Sequence, residues 1–92
     1  MFYNCRGLKS LDLSLIDTSK VINMTNAFKL CINLEKLNLD NFETSNVITM
    51  KSMFDTCQKL TSLNLSSFYT PLVNDISFMF NGCKALFYLD LN

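Results

Sequence analysis

The chain has 92 residues, 49% of them apolar and 17% charged, with eight basic and eight acidic side chains. So short a chain builds one domain at most, yet it is too apolar and too weakly charged to stay disordered. Zero net charge removes the electrostatic footprint of a nucleic-acid binder, and the lack of His removes imidazole bases, Ser-His or Cys-His nucleophile pairs and His-ligated metals. Apolar runs are only a few residues long and no targeting signal opens the chain, so membrane insertion by this segment is not expected.

Self-similarity organises everything else. Written in blocks of 26, the chain places Met1-Phe2, Ala27-Phe28, Met53-Phe54 and Met79-Phe80 in register. Cys5, Cys31, Cys57 and Cys83 form one column, and Leu8, Leu34, Leu60 and Leu86 follow three residues later. Then come Leu11/Leu37/Leu63/Leu89 and Leu13/Leu39/Leu65/Leu91, and afterwards Ile16/Phe42/Phe68, Thr18/Thr44/Thr70, Val21/Val47/Val73 and Met24/Met50/Ile76. No insertion breaks the register.

In chain order, residues 1–5 read as the tail of a helix and 8–13 as a strand, since Leu11 and Leu13 alternate with polar neighbours. A helix is expected over 18–28, a second strand over 34–39, a second helix over 44–54 and a third strand over 60–65. The helix expectation rests on Val47, Met50, Met53 and Phe54, spaced i, i+3, i+6, i+7. In the third helix, over 70–80, Thr70-Pro71 reads as N-cap and first helical residue, with Gly82 as its stop. Thr18 and Thr44 should cap likewise, and the last strand is expected over 86–91. A lone block cannot bury its Leu and Met-Phe faces, so blocks should stack. Strands stack about 4.8 Å apart and helices need about 10 Å, which would curve the array with its sheet on the inner side.

The motif Leu-x-x-Leu-x-Leu at 8–13, 34–39, 60–65 and 86–91 is the strand signature of leucine-rich repeats. With its Met-Phe, Cys, Thr and Val-x-x-Met columns, the block resembles the BspA-like leucine-rich repeats of bacterial surface proteins and lipoproteins over the whole chain. That resemblance implies an α/β leucine-rich-repeat solenoid of about 3.5 repeats, with a parallel sheet on the concave side and short helices on the convex side. It also implies a cell-surface or secreted setting and a role in adhesion or protein binding. Where many such repeats carry an Asn ladder, this chain has Ile16, Phe42 and Phe68, so the backbone there needs another partner, for which the Thr column is available. Residues 1–92 read as one segment of a longer array, open to flanking repeats or self-association at its ends.

The four Cys should stack in a line. Zinc needs ligands converging on one point, and parallel side chains oppose disulfide geometry, so a core ladder of thiols is expected, with no metal and no cofactor. Asp12, Asp40 and Asp90 sit on the strand face but in columns that give no facing pair of carboxylates for acid–base work. A partner should dock on that same face, whose columns are Ser10/Lys36/Ser62/Tyr88, Asp12/Asn38/Asn64/Asp90 and Ser14/Asp40/Ser66/Asn92. The candidate binding residues are Ser10, Asp12, Lys36, Asn38, Asp40, Ser62, Asn64, Tyr88 and Asp90, with no catalytic residue among them. Short hydroxyls and amides suit a protein or glycan ligand; the competing reading is a structural spacer with no ligand of its own.

Overall fold

In the computed structural model, which describes residues 2–90, each 26-residue block lies against the next. The strands are short: β1 (Ser10–Asp12), β2 (Lys36–Asn38), β3 (Ser62–Asn64) and β4 (Tyr88–Asp90). β1 and β2 pair in parallel with Leu11 opposite Leu37, and β3 and β4 pair in parallel with Leu63 opposite Leu89. On the other side of each block, single parallel bridges join Asn23 to Thr49 and Thr49 to Asp75. The Met1, Leu91 and Asn92 members of their columns lie outside the described residues.

The expected helices are absent, and this corrects the fold class. Among the described residues the regular structure is four three-residue strands in two two-stranded sheets, with no helix at 18–28, 44–54 or 70–80. An α/β leucine-rich-repeat solenoid, sheet inside and helices outside, is therefore not the architecture.

The backbone explains the difference. Met24, Asn26, Phe28 and Leu30 donate their amides to the carbonyls of Thr49, Lys51, Met53 and Asp55, one block on, at 2.8–3.0 Å. Met50, Ser52, Phe54 and Thr56 repeat the pattern onto Asp75, Ser77, Met79 and Asn81. Beyond its first turn, a helix would spend each amide within its own segment. Between the donated amides the chain turns on local bonds such as Val47 N–H to Thr44 O, Met53 to Met50, Cys57 to Phe54 and Leu60 to Cys57. These turns bring Thr44, Val47, Met50, Met53, Phe54, Cys57 and Leu60 inward. Three-residue corners thus imitate the stripe of a helix. Ser52 (φ 57°) and its column mates Asn26 (φ 60°) and Phe78 (φ 58°) are left-handed, as are Asn4, Leu30, Thr56 and Gly82, which a right-handed helix forbids. Thr, Ser, Asn and Val, abundant in 44–49, are also weak helix formers.

The predicted curvature fails for the same reason. Phe2, Phe28, Phe54 and Phe80 form a continuous stack with ring centroids 5.5–5.7 Å apart and planes within 6°. Blocks are thus almost as close on this side as paired strands are, so nothing wedges the array open. The body measures 29 × 27 × 24 Å. Phe28, Cys31, Leu34, Val47, Met53, Phe54, Cys57 and Leu60 are wholly buried in its centre, where full burial of one large side chain is worth about 1.5–3 kcal/mol.

Polar ladders complete the interior. Thr18 Oγ1 donates to Glu43 O (3.1 Å) and accepts from Glu43 N–H (2.8 Å); Thr44 does the same with Tyr69 O (2.8 Å) and N–H (2.9 Å). The threonines serve the bend of the next block and cap no helix. Each inner thiol is a donor as well: Cys31, Cys57 and Cys83 point Sγ at the carbonyls of Phe2, Phe28 and Phe54, at 3.0–3.2 Å.

One seam interrupts the sheet. Leu13 N–H bonds Asn38 O (3.0 Å) and Leu65 N–H bonds Asp90 O (2.8 Å), but no backbone bond joins residues 35–39 to 61–65 among the described residues. Ser67 Oγ reaches Leu39 O across the gap instead (3.0 Å). The buried Leu39 amide should therefore exchange with solvent deuterium faster than those of Leu13 and Leu65; equal protection of the three would contradict the seam. Thr44→Val, which keeps the shape but leaves the Tyr69 backbone unpaired, should cost about 1–3 kcal/mol in denaturant unfolding.

Candidate functional site

The strand faces of β1, β2 and β3 form one groove of about 310 Å³. Ser10, Asp12, Lys36, Asn38, Ser62 and Asn64 line it, with Leu11 and Leu37 between them. The period-2 geometry of the strands places these polar residues together, since alternate side chains share a face and parallel register aligns 10 with 36 and 12 with 38. Of the nine expected binding residues, six meet in the groove. Asp40 is exposed past the end of β2, while Tyr88 and Asp90 lie on β4, outside the lining.

A turn at each strand end fixes the side chains. Asp12 Oδ1 accepts the Ser14 amide (2.9 Å), Asn38 Oδ1 the Asp40 amide (2.9 Å) and Asn64 Oδ1 the Ser66 amide (2.8 Å). This side-chain-to-backbone motif ends the strand and selects Asx residues for that column. It also engages the oxygen of each Asn, while the NH2 group has no protein partner among the described residues. The hydroxyl and amide of Ser14 hold the exposed Asp12 carboxyl below its ordinary range, so it is charged at neutral pH. Lys36 has no ion pair among the described residues. Asp12 is the only carboxylate in the lining, so the groove holds no pair for general acid–base work.

Two features escaped the sequence reading. Leu11 and Leu37, expected in the core, are half-buried and open to the groove. Asp55, 7% exposed, gathers Thr56 Oγ1 (2.8 Å), Asn81 Nδ2 (3.1 Å) and Lys29 Nζ (3.8 Å). Its polar column Lys29/Asp55/Asn81 was visible in the sequence, but only the stacking distance makes it a cluster. A second cavity, about 260 Å³ and mostly apolar, lies among Leu65, Phe68, Val73, Ile76 and Met79.

The cysteines are free thiols in a line, and no group of three His, Cys, Asp or Glu among the described residues is placed to hold a metal ion. Burial pushes the Cys57 thiol up to about 12, reinforced by the neighbouring Cys83 and Cys31; burial raises Cys31 and Cys83 as well.

Structurally, then, the molecule is a protein of 26-residue repeats joined block to block by hydrogen bonds, with a polar groove on its strands. The chain belongs to the family described as Mycoplasma protein of unknown function, DUF285, whose model matches residues 1–91. Nothing among curated proteins or solved structures matches it.

Because the folded chain keeps Cys57 protonated to a higher pH than an unfolded thiol, this group's contribution is full below pH 9 and disappears as pH rises through about 12. Unfolding followed by circular dichroism should therefore show stability falling across that window, and Cys57→Ala should flatten the fall. Iodoacetamide at pH 8 should label the half-buried Cys5 well before Cys31 or Cys57, read by peptide mass.

Proposed function

We propose that this chain is a noncatalytic binding module that takes a protein or glycan ligand in the groove across β1, β2 and β3. The observation that carries this reading is the convergence of six polar side chains from three separate blocks on one accessible hollow, around a lysine with no ion pair among the described residues. Support also comes from the Asx turns, which hold three of those side chains in fixed orientation before any ligand arrives, lowering the entropic cost of binding. The lack of His in the chain, of a second carboxylate in the groove lining and of a clustered metal set among the described residues argues for recognition over chemistry. The resemblance to BspA-like repeats adds the expectation of adhesion at a cell surface or after secretion.

The test must spare the turns. Asn38→Asp and Asn64→Asp keep the oxygen that accepts the backbone amide, so with Lys36→Glu they alter the groove without dismantling the strand ends. The labelled wild-type chain should bind members of a peptide or glycan array, and the triple variant should lose those signals while keeping its far-ultraviolet spectrum. Array binding unchanged by the triple variant would move the site elsewhere, and a blank array for the wild type would favour a spacer role.

A further inference from the structure

The geometry points to a carboxylate side chain on an extended peptide as the ligand of this groove, an assignment that rests on the groove being a binding site at all. In the half formed by β2 and β3 the polar lining is Lys36, Asn38, Ser62 and Asn64. Lys36 brings an ammonium with only donors. Asn38 and Asn64 each have one oxygen lone pair engaged by the amides of Asp40 and Ser66, so the two donors of the NH2 group are the larger part of what each still offers. Ser62 adds a hydroxyl with no protein partner among the described residues.

The Asx turns thus turn two ambivalent amides into fixed donors beside a cation, and no carboxylate lines this half. Its complement is an anionic oxygen acceptor, and charge-assisted hydrogen bonds are the stronger kind. At the β1 side Asp12 reverses the sign, which suits a ligand with N–H groups next to its carboxylate, as a peptide main chain has. Leu11 and Leu37 give the groove aliphatic contacts. No aromatic ring lines it for a pyranose to stack on, Tyr88 being outside, and that favours a peptide over an acidic sugar chain.

The experiment is a titration of the 15N-labelled chain with three defined molecules: decaglutamate, decalysine and oligogalacturonate, each followed by amide shifts. Decaglutamate should shift Lys36, Leu37, Asn38, Ser62 and Asn64 in a saturable way, weakening as salt is raised. Lys36→Glu and Asn64→Asp, each with an otherwise unchanged spectrum, should weaken this binding about tenfold or more. If decalysine or oligogalacturonate shifts those residues as much as decaglutamate, the groove binds but the ligand assigned here is wrong. If none of the three shifts them, the assignment falls together with the groove reading, and decaglutamate binding untouched by Lys36→Glu overturns it equally.

Discussion

The structure depends on where the backbone amides go. At one side of each block, every second N–H from Met24 to Leu30, and again from Met50 to Thr56, is given to the following block. Buried backbone groups must be paired, and here the pairing is between repeats, so a block is incomplete without its neighbour. The same allocation forbids helix, forces the three-residue corners and brings the phenylalanine rings to 5.5–5.7 Å. Packing and hydrogen bonding are here two aspects of one spacing.

Side chains extend the principle wherever the main chain cannot satisfy itself. Thr18 and Thr44 bracket both backbone groups of a residue one block on, and each inner thiol finds the carbonyl of a phenylalanine one block back. Column identity therefore carries hydrogen-bond information as well as hydrophobicity. A thiol fits its column because it is both small enough for the core and able to donate. On the surface the Asx column does the corresponding work at the strand ends, and by doing so it decides which polar atoms remain for a ligand.

The period, the strands and the alignment of the cysteines were legible in the sequence because each depends only on spacing along the chain. The conformation of 44–54 was not. Val47, Met50, Met53 and Phe54 satisfy a helical template, and the same spacing arises from successive turns whose inward residues fall three apart. What separates the two is the destination of alternate amides, and spacing within one block holds no record of that. The strand face was readable from alternation at Ser10, Lys36 and Ser62, so six groove residues could be named in advance. Strict alternation also buried Leu11 and Leu37, which fails on three-residue strands lying at an edge or beside the seam. A uniform sheet would put Asp40, Tyr88 and Asp90 in the same site; the groove stops at β3 and β2 ends at Asn38, which leaves the three outside.

The constant offset between partners has a consequence for how such a chain tolerates changes in length. Excising the stretch from Ala27 to Ser52 would bring Asn26 directly before Met53, and every donor in the first block would still meet an acceptor of the matching column. Removing one residue from that stretch, by contrast, would shift all later columns by one place, setting thiols against the wrong carbonyls and polar side chains against the aromatic stack. Its bonding register thus survives whole-unit editing and is lost on fractional edits, a property of periodic bonding that no single residue confers.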